Sequence, residues 1–583
     1  MATGLWMMCP WMEQGVIPSF LPCRLSVMRS LIPSLRSIAK TLRTSDSPPA
    51  ARWAWLLGIV LAVGLLLQLI RISLSHGPYD HDIDSFLYMA WRLLEGNLLF
   101  IDHYDSKLPI VQYLYIPSFL SGSIFGHRLV TFAVATATAL LFYRCLLSLK
   151  RLGLLSKQTS RTWMVLCSTL LLCFGQTHPG GLSGHLHLFA NGFLVLALRL
   201  LLKSLMANPE QPQRVVIWQL LGGGSLAWAI QTRPNLLVSV GFCGLIWLIA
   251  RGLQRRLGWR ESGAVCSLAI GAVLLSLPFI LPYLLHPDGL NLLKIGGWDL
   301  LHQWNSEGHG VRSRLGLLGL LKAMYWDQAF VDFNPYGLPL LPIPILLLFN
   351  LRGVSIHPRG WVATTWIPLL SSSFITGLWF SFLKTHFWPH YLLLETVPIT
   401  LLFAWIPTGL AQNRVPQVLR IGFTWIGIIV GSFIILNLTV VETIRLLFPS
   451  ERSAIAKTQE LLVQRLRSLP PGQHFFAPGD PSFHWKLQES MPVKGIHRAW
   501  ILFKSTTFLN PSTATRRMGI ATSPTERCDQ LLAKPTDIII WVESKAPLNI
   551  LQSCFATSED DWQDLTEEYG VKGSGYHVFR RRS

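Results

Sequence analysis

Charge is scarce in this chain, and negative charge is scarcest. Asp and Glu number 31 against 50 Lys and Arg in 583 residues, and the four types together make 14% of the sequence. Soluble domains carry about a quarter charged residues, so a hydrophobic share of 50% points to a surface meant for lipid. Cysteine is sparse as well: the nine have no C-x-x-C spacing, which argues against ribbon-type metal sites and dithiol redox chemistry. Repeats and low-complexity segments are missing. A cleavable signal peptide is also missing, because the basic residues of the first fifty follow the weakly apolar start instead of preceding it. The first apolar span therefore doubles as the targeting signal. The Gly222-Gly223-Gly224 run lies inside an apolar span and not after a strand, which excludes a nucleotide-phosphate loop and suggests close helix packing.

What is present is a series of apolar runs from Trp53 to Phe448, each near the ~20 residues that cross a hydrocarbon core. Spans are expected near 53–74, 163–176, 185–205, 215–231, 235–251, 264–285, 337–351, 361–383, 390–411 and 420–448. The segment 109–149 must add one or three crossings, giving 11 or 13 in total. The net charge of +19 sits mostly in alternate short loops, the pattern that sets topology rather than one for nucleic acid. Arg144, Lys150, Arg151, Lys157 and Arg161 fill one such loop, Arg251, Arg255, Arg256 and Arg260 another, with Arg352, Arg359, Arg414 and Arg420 in two more. These loops and the basic tail 1–52 are assigned to the cytoplasm. Residues 53–448 then form the membrane domain, and 449–583, of ordinary soluble composition, an extracytoplasmic domain.

Two outer loops are long, at about 75–108 and 286–336. In the first, Phe86, Leu87, Met89, Ala90, Leu93 and Leu94 recur at helical intervals up to a stop at Gly96, which predicts a short amphipathic helix lying on the membrane surface. In the tail, a helix is expected from Ile455 to Leu469, then strands at His474–Ala477, Asp537–Glu543 and Tyr576–Arg580, hence a small α/β domain. Cys528 and Cys554 lie in this tail, where either a disulfide or two unpaired small apolar residues would fit.

The richest constellation is Asp82-Ile83-Asp84 in the first outer loop, followed by Tyr88, Asp105, Lys107 and Pro109. Glycosyl transfer from a lipid phosphate needs a carboxylate to accept the acceptor's proton and cations to hold the departing phosphate. Asp84 or Asp82 fits the first need and Lys107 the second, although acidic loops beside membranes are also often merely solvated. Arg233, in Thr232-Arg-Pro-Asn235, sits at the outer end of a span, placed either for phosphate or for snorkelling to headgroups. His178, His185 and His187 flank an outer turn; their His-x-His spacing suits a metal, but without further ligands polar lining or packing is the preferred account. Trp298, Trp304, Tyr325, Trp326 and Tyr336 can stack on sugar or serve as an interfacial belt.

The run Asp84-Ser-Phe-Leu-Tyr88, Leu94-Glu-Gly96, Asp105-Ser-Lys107-Leu-Pro109 and Phe125-Gly-His-Arg128-Leu129 resembles the first outer loop and second span of the GT-C superfamily. Its nearest likeness is to the protein O-mannosyltransferase and lipid A aminoarabinose transferase group. A second match, Lys384-Thr-His386-Phe-Trp-Pro389-His390-Tyr391, is similar to that group's aromatic-Pro-His-Tyr motif, and the close Tyr569-Gly-Val with Tyr576-His-Val-Phe-Arg-Arg581 also resembles theirs. Ser85 stands where the group has Glu, and Leu108 where it has the first Pro of Lys-Pro-Pro.

The resemblance implies an all-α polytopic domain of 11 or 13 transmembrane helices with a small soluble α/β domain, in a bacterial plasma membrane. It implies transfer of a sugar from a polyprenyl-phosphate carrier to a glycolipid, polysaccharide or protein, by inverting displacement. Asp84, or Asp82 in place of the missing Glu, would be the base. Lys107, Tyr88, Asp105, Arg233, Lys384, His390 and Tyr391 would bind substrate. The Asp-x-Asp spacing can hold a divalent cation, which many of the closer relatives do not require. The rival readings are a transporter or flippase of lipid-linked sugars and a polyprenyl-diphosphate-dependent polymerase or ligase.

Overall fold

In the computed structural model the described residues are 81–299, with breaks at 106, 178–183, 209 and 254–257; then 366–384, 389–412, scattered positions in 416–440, 451–491 with short breaks, 536–542, 562–582, and positions 63 and 319. Apart from Val63, all belong to the unit Leu67–Ser583. The expected spans at 53–74 and 337–351, most of 420–448, and both Cys528 and Cys554 lie outside the described residues.

The first outer loop forms helix α1 (His81–Leu94), with Asp82 and Asp84 in its first turn, where the positive end of the peptide dipoles favours acids. It ends at Gly96 (φ +84°), whose N–H donates to Leu93 O at 2.9 Å. The helix does not lie on a surface, contrary to the expectation. Ile83, Phe86, Leu87, Tyr88, Met89, Ala90 and Trp91 are all buried. The periodicity marks one apolar face, to which Ile83 also belongs, but Tyr88 and Trp91 extend the burial around the helix. Tyr115, Leu186, Phe189 and Tyr283 pack with the helix from the span region, and Phe476, Trp485 and Met491 from the tail.

The segment 109–149 resolves into α2 (Ile110–Leu114), α3 (Ile116–Leu120) and the long α4 (Ile124–Arg151). Two five-residue pieces are too short to cross a bilayer, so one helix of spanning length stands in this segment. Ser123 starts α4 by accepting a hydrogen bond from Gly126 N. There follow α5 (Arg161–Thr177), α6 (Leu186–Met206), α7 (Pro212–Thr232), α8 (Leu236–Leu253), α9 (Trp259–Leu285), α10 (Gly289–Lys294), α11 (Trp366–Lys384) and α12 (Thr396–Gln412), the last preceded by the turn Pro389–Glu395. Among the described residues, Ile124–Arg151, Leu186–Met206, Glu261–Leu285 and Tyr391–Ala411 are long and apolar enough to cross a membrane. The glycine run of α7 does serve close packing. A Cβ on Gly223 would lie 2.0 Å from the backbone oxygen of Leu268 in α9, so only glycine lets these two helices touch.

The tail contributes α13 (Glu451–Arg467), β1 (Phe475–Phe476), α14 (Pro481–Leu487), β2 (Ile538–Val542), β3 (Trp562–Asp564) and β4 (Tyr576–Arg581). The sheet order is β1-β2-β4-β3. β1 runs parallel to β2, while β4 is antiparallel to both neighbours, with Ile540 opposite Val578. Leu462, Phe483, Ile538, Ile540, Tyr576 and Val578 form a core separate from that of the spans.

Candidate functional site

The two aspartates of α1 occupy different surroundings. Two residues apart on a helix they point roughly 200° away from each other, so one neighbour cannot hold both. Asp84 is 1% exposed and its Oδ1 accepts a hydrogen bond from Trp485 Nε1 of α14 at 3.0 Å. Asp82, with its side chain 18% exposed, lies 3.0 Å from His185 Nε2. The more exposed of the two carboxylates is therefore Asp82.

His185 begins a polar network where the N-terminal end of α6 meets the C-terminal end of α7. Gly184 (φ +75°) turns the chain into α6, and a Cβ there would sit 2.3 Å from Thr131 Cγ2. Arg233, which caps α7, places a terminal nitrogen 3.0 Å from His185 Nδ1 and 3.2 Å from His187 Nδ1. The two imidazoles stack with centroids 4.7 Å apart, and their Nδ1 atoms are separated by 2.9 Å. Tyr391 closes this end: its ring is 5.1 Å from the His187 ring and lies 5.1 Å from the Arg233 guanidinium carbon. Tyr391, far along the sequence, thus joins Asp82, His185, His187 and Arg233 in one place. Among the described residues no group of three His, Cys, Asp or Glu is arranged to hold a metal ion.

Lys107 stands 3.7 Å from the fully buried carboxylate of Asp105 and 5.7 Å from the centroid of the Phe86 ring. Phe86 in turn meets the His185 ring edge-on at 5.8 Å, so one aromatic side chain lies against both the lysine and the histidine network. Tyr88 has a different partner set. It is buried, and its hydroxyl accepts from Met491 N at 3.0 Å. Burial pushes the phenol up to about 12, against the Met491 hydrogen bond and the charge of Arg92, so it stays neutral and anchors the tail. The side chains of Lys384, His390 and Trp298 lie outside the described residues, as do His178, His386, Trp304, Tyr325, Trp326 and Tyr336.

Trp485 and Met491 carry no sequence signal that would bring them here. Beside them, His484 is fully buried, with Nε2 accepting from Ala477 N at 3.2 Å and Nδ1 donating to Glu489 O at 3.0 Å. Burial pushes it from 6.5 down to about 4, outweighing the raising effects of the Glu489 hydrogen bond and Asp480. The folded imidazole stays neutral while the unfolded one takes a proton below 6.5. Its contribution to stability is therefore complete above pH 6.5 and is lost as pH falls toward 4. Thermal melts of the detergent-solubilised protein should thus fall over that window more steeply for wild type than for His484→Gln. Equal slopes would mean the imidazole is not the titrating group.

No protein-family model matches the chain, and no curated protein matches it by sequence. Among solved structures it is similar to ArnT from Cupriavidus metallidurans in the apo state, at a TM-score of 0.56 and 12% identity, over 91% of this chain and 98% of that one. ArnT is a lipid A aminoarabinose transferase, a GT-C enzyme. With its long apolar helices, this chain is an integral membrane protein with the fold of ArnT.

Proposed function

We propose that the protein is a membrane glycosyltransferase that moves a sugar from a polyprenyl-phosphate carrier to an acceptor at the outer face of the membrane. The observation that carries this reading is a partly exposed carboxylate, Asp82, linked through His185 to the cation Arg233, with Lys107 across Phe86. Transfer needs those opposite charges close together but not neutralising each other. Asp82 accepts the proton of the acceptor's hydroxyl or amine as that atom bonds to the anomeric carbon. The bond from that carbon to the phosphate oxygen breaks on the opposite face, giving inversion. The electron pair leaves with the phosphate, whose growing charge Lys107 and Arg233 stabilise. His390 and Lys384 belong to the same reading through the late motif, and Tyr391 through its contacts with Arg233 and His187. The ArnT-like fold supports a lipid-linked donor, while the carboxylate chemistry accommodates a glycolipid, polysaccharide or protein acceptor.

The test is the lipid-linked sugar pool of a strain lacking the gene. Accumulated polyprenyl-phosphate sugar, exposed on the outer leaflet and cleared by the wild-type gene, is the expected outcome. Carrier trapped on the inner leaflet would mean a flippase. No change in the pool or in envelope glycans would remove the transfer reading.

A further inference from the structure

The histidine between Asp82 and Arg233 has a position that ordinarily implies another task. His185 caps the N-terminus of α6, where a side chain usually accepts from the open N–H groups of the first turn. It makes no such bond. Its ring, fully buried, instead reaches Asp82 with one nitrogen and Arg233 with the other, each at 3.0 Å. The guanidinium has only donors, so the Nδ1 that it approaches must accept. In this arrangement His187 Nδ1, 2.9 Å away, either donates to the same atom or accepts from the guanidinium. The ring proton is then on Nε2, and it is donated to the Asp82 carboxylate.

We infer that His185 is a positioning residue of the transfer site: a neutral imidazole, held in the Nε2–H form by Arg233, that aims Asp82 and couples the two opposite charges without letting them collapse into a direct ion pair. This role rests on the transfer reading above. A direct carboxylate–guanidinium pair would engage both groups with each other, leaving neither suited to a substrate. With the imidazole between them, Asp82 keeps a carboxylate's basicity toward a proton and Arg233 its positive charge toward an anion. Phe86 and His187 pack against two sides of the imidazole, fixing its plane.

Two measurements on the full-length protein in lipid bilayers test this. In the first, nitrogen-15 magnetic resonance of histidine-labelled protein, as the difference between wild type and His185→Gln, should give one protonated Nε2 and one unprotonated Nδ1. The opposite tautomer, or an imidazolium, would overturn the assignment whatever the protein's activity. In the second, transfer is followed with the polyprenyl-phosphate sugar fraction that accumulates in the deletion strain. His185→Leu, which lacks both polar atoms, should lose about 30- to 100-fold in kcat with the donor KM changed less than about threefold. His185→Gln, whose amide offers a donor and an acceptor, should recover most of that loss. Equal loss in the two variants, or an effect confined to KM, makes His185 a packing residue only. Wild-type transfer with an unimpaired Leu variant sinks the histidine assignment alone, whereas absence of wild-type transfer sinks the transfer reading and this role with it.

Discussion

Asp82→Asn should lower the rate of sugar transfer by about 10³-fold, while Asp84→Asn should lower it by no more than about tenfold. The first substitution keeps the shape of the side chain but replaces the basic carboxylate, which on the proposed reading takes the acceptor's proton, with a non-basic amide. The amide can still face His185, so folding and donor binding should survive and the loss should appear in kcat. At Asp84 the amide oxygen can still accept from Trp485 Nε1, and a buried group 1% exposed does not meet substrate in this arrangement. The measurement is single-turnover transfer in membranes of the deletion strain carrying each variant. The reverse ranking would assign proton abstraction to Asp84 and would require α14 to move away from it.

Trp485→Phe should destabilise the protein by about 1.5–3 kcal/mol, the usual worth of a hydrogen bond to a charged group. Phenylalanine keeps one aromatic ring against Phe119 and the surrounding core, so the loss reports the N–H donated to Asp84 together with the small cavity the lost ring leaves. Because Asp84 lies on α1 and Trp485 on α14, the weakened bond sits where the first outer helix meets the tail. Limited proteolysis should therefore cut sooner within the tail, with the spans still intact. If Trp485→Phe melts and digests like wild type while Asp84→Ala does not, the carboxylate is held by other groups and the indole is incidental.

Local structure was the legible part of this sequence. Gly96 as a helix stop, the strands around Phe475, Ile538 and Tyr576, and the close packing of Gly223 all follow from patterns confined to a few neighbouring residues. The burial of α1 did not. A periodic pattern reports which residues avoid water but not what covers the remaining face, and here Tyr88 looks ordinary until the tail packs against it. The site was legible in its ingredients and not in its pairing. Asp82, Arg233, His185 and Tyr391 each stood out, yet nothing in their spacing says that His185 touches both Asp82 and Arg233. β3 went unnoticed because Trp562–Asp564 is only three residues long, with too few alternations to register as a strand.

The partners of α1 arrive late in the chain. Trp485 follows Asp84 by 401 positions, and the backbone of Met491 that fixes Tyr88 follows it by 403. During synthesis α1 is made about 400 residues before the segment that covers its second side. A nascent chain that stops short of that segment leaves the Trp485–Asp84 and Met491–Tyr88 bonds unmade, so α1 reaches its final surroundings only once residue 491 has been added.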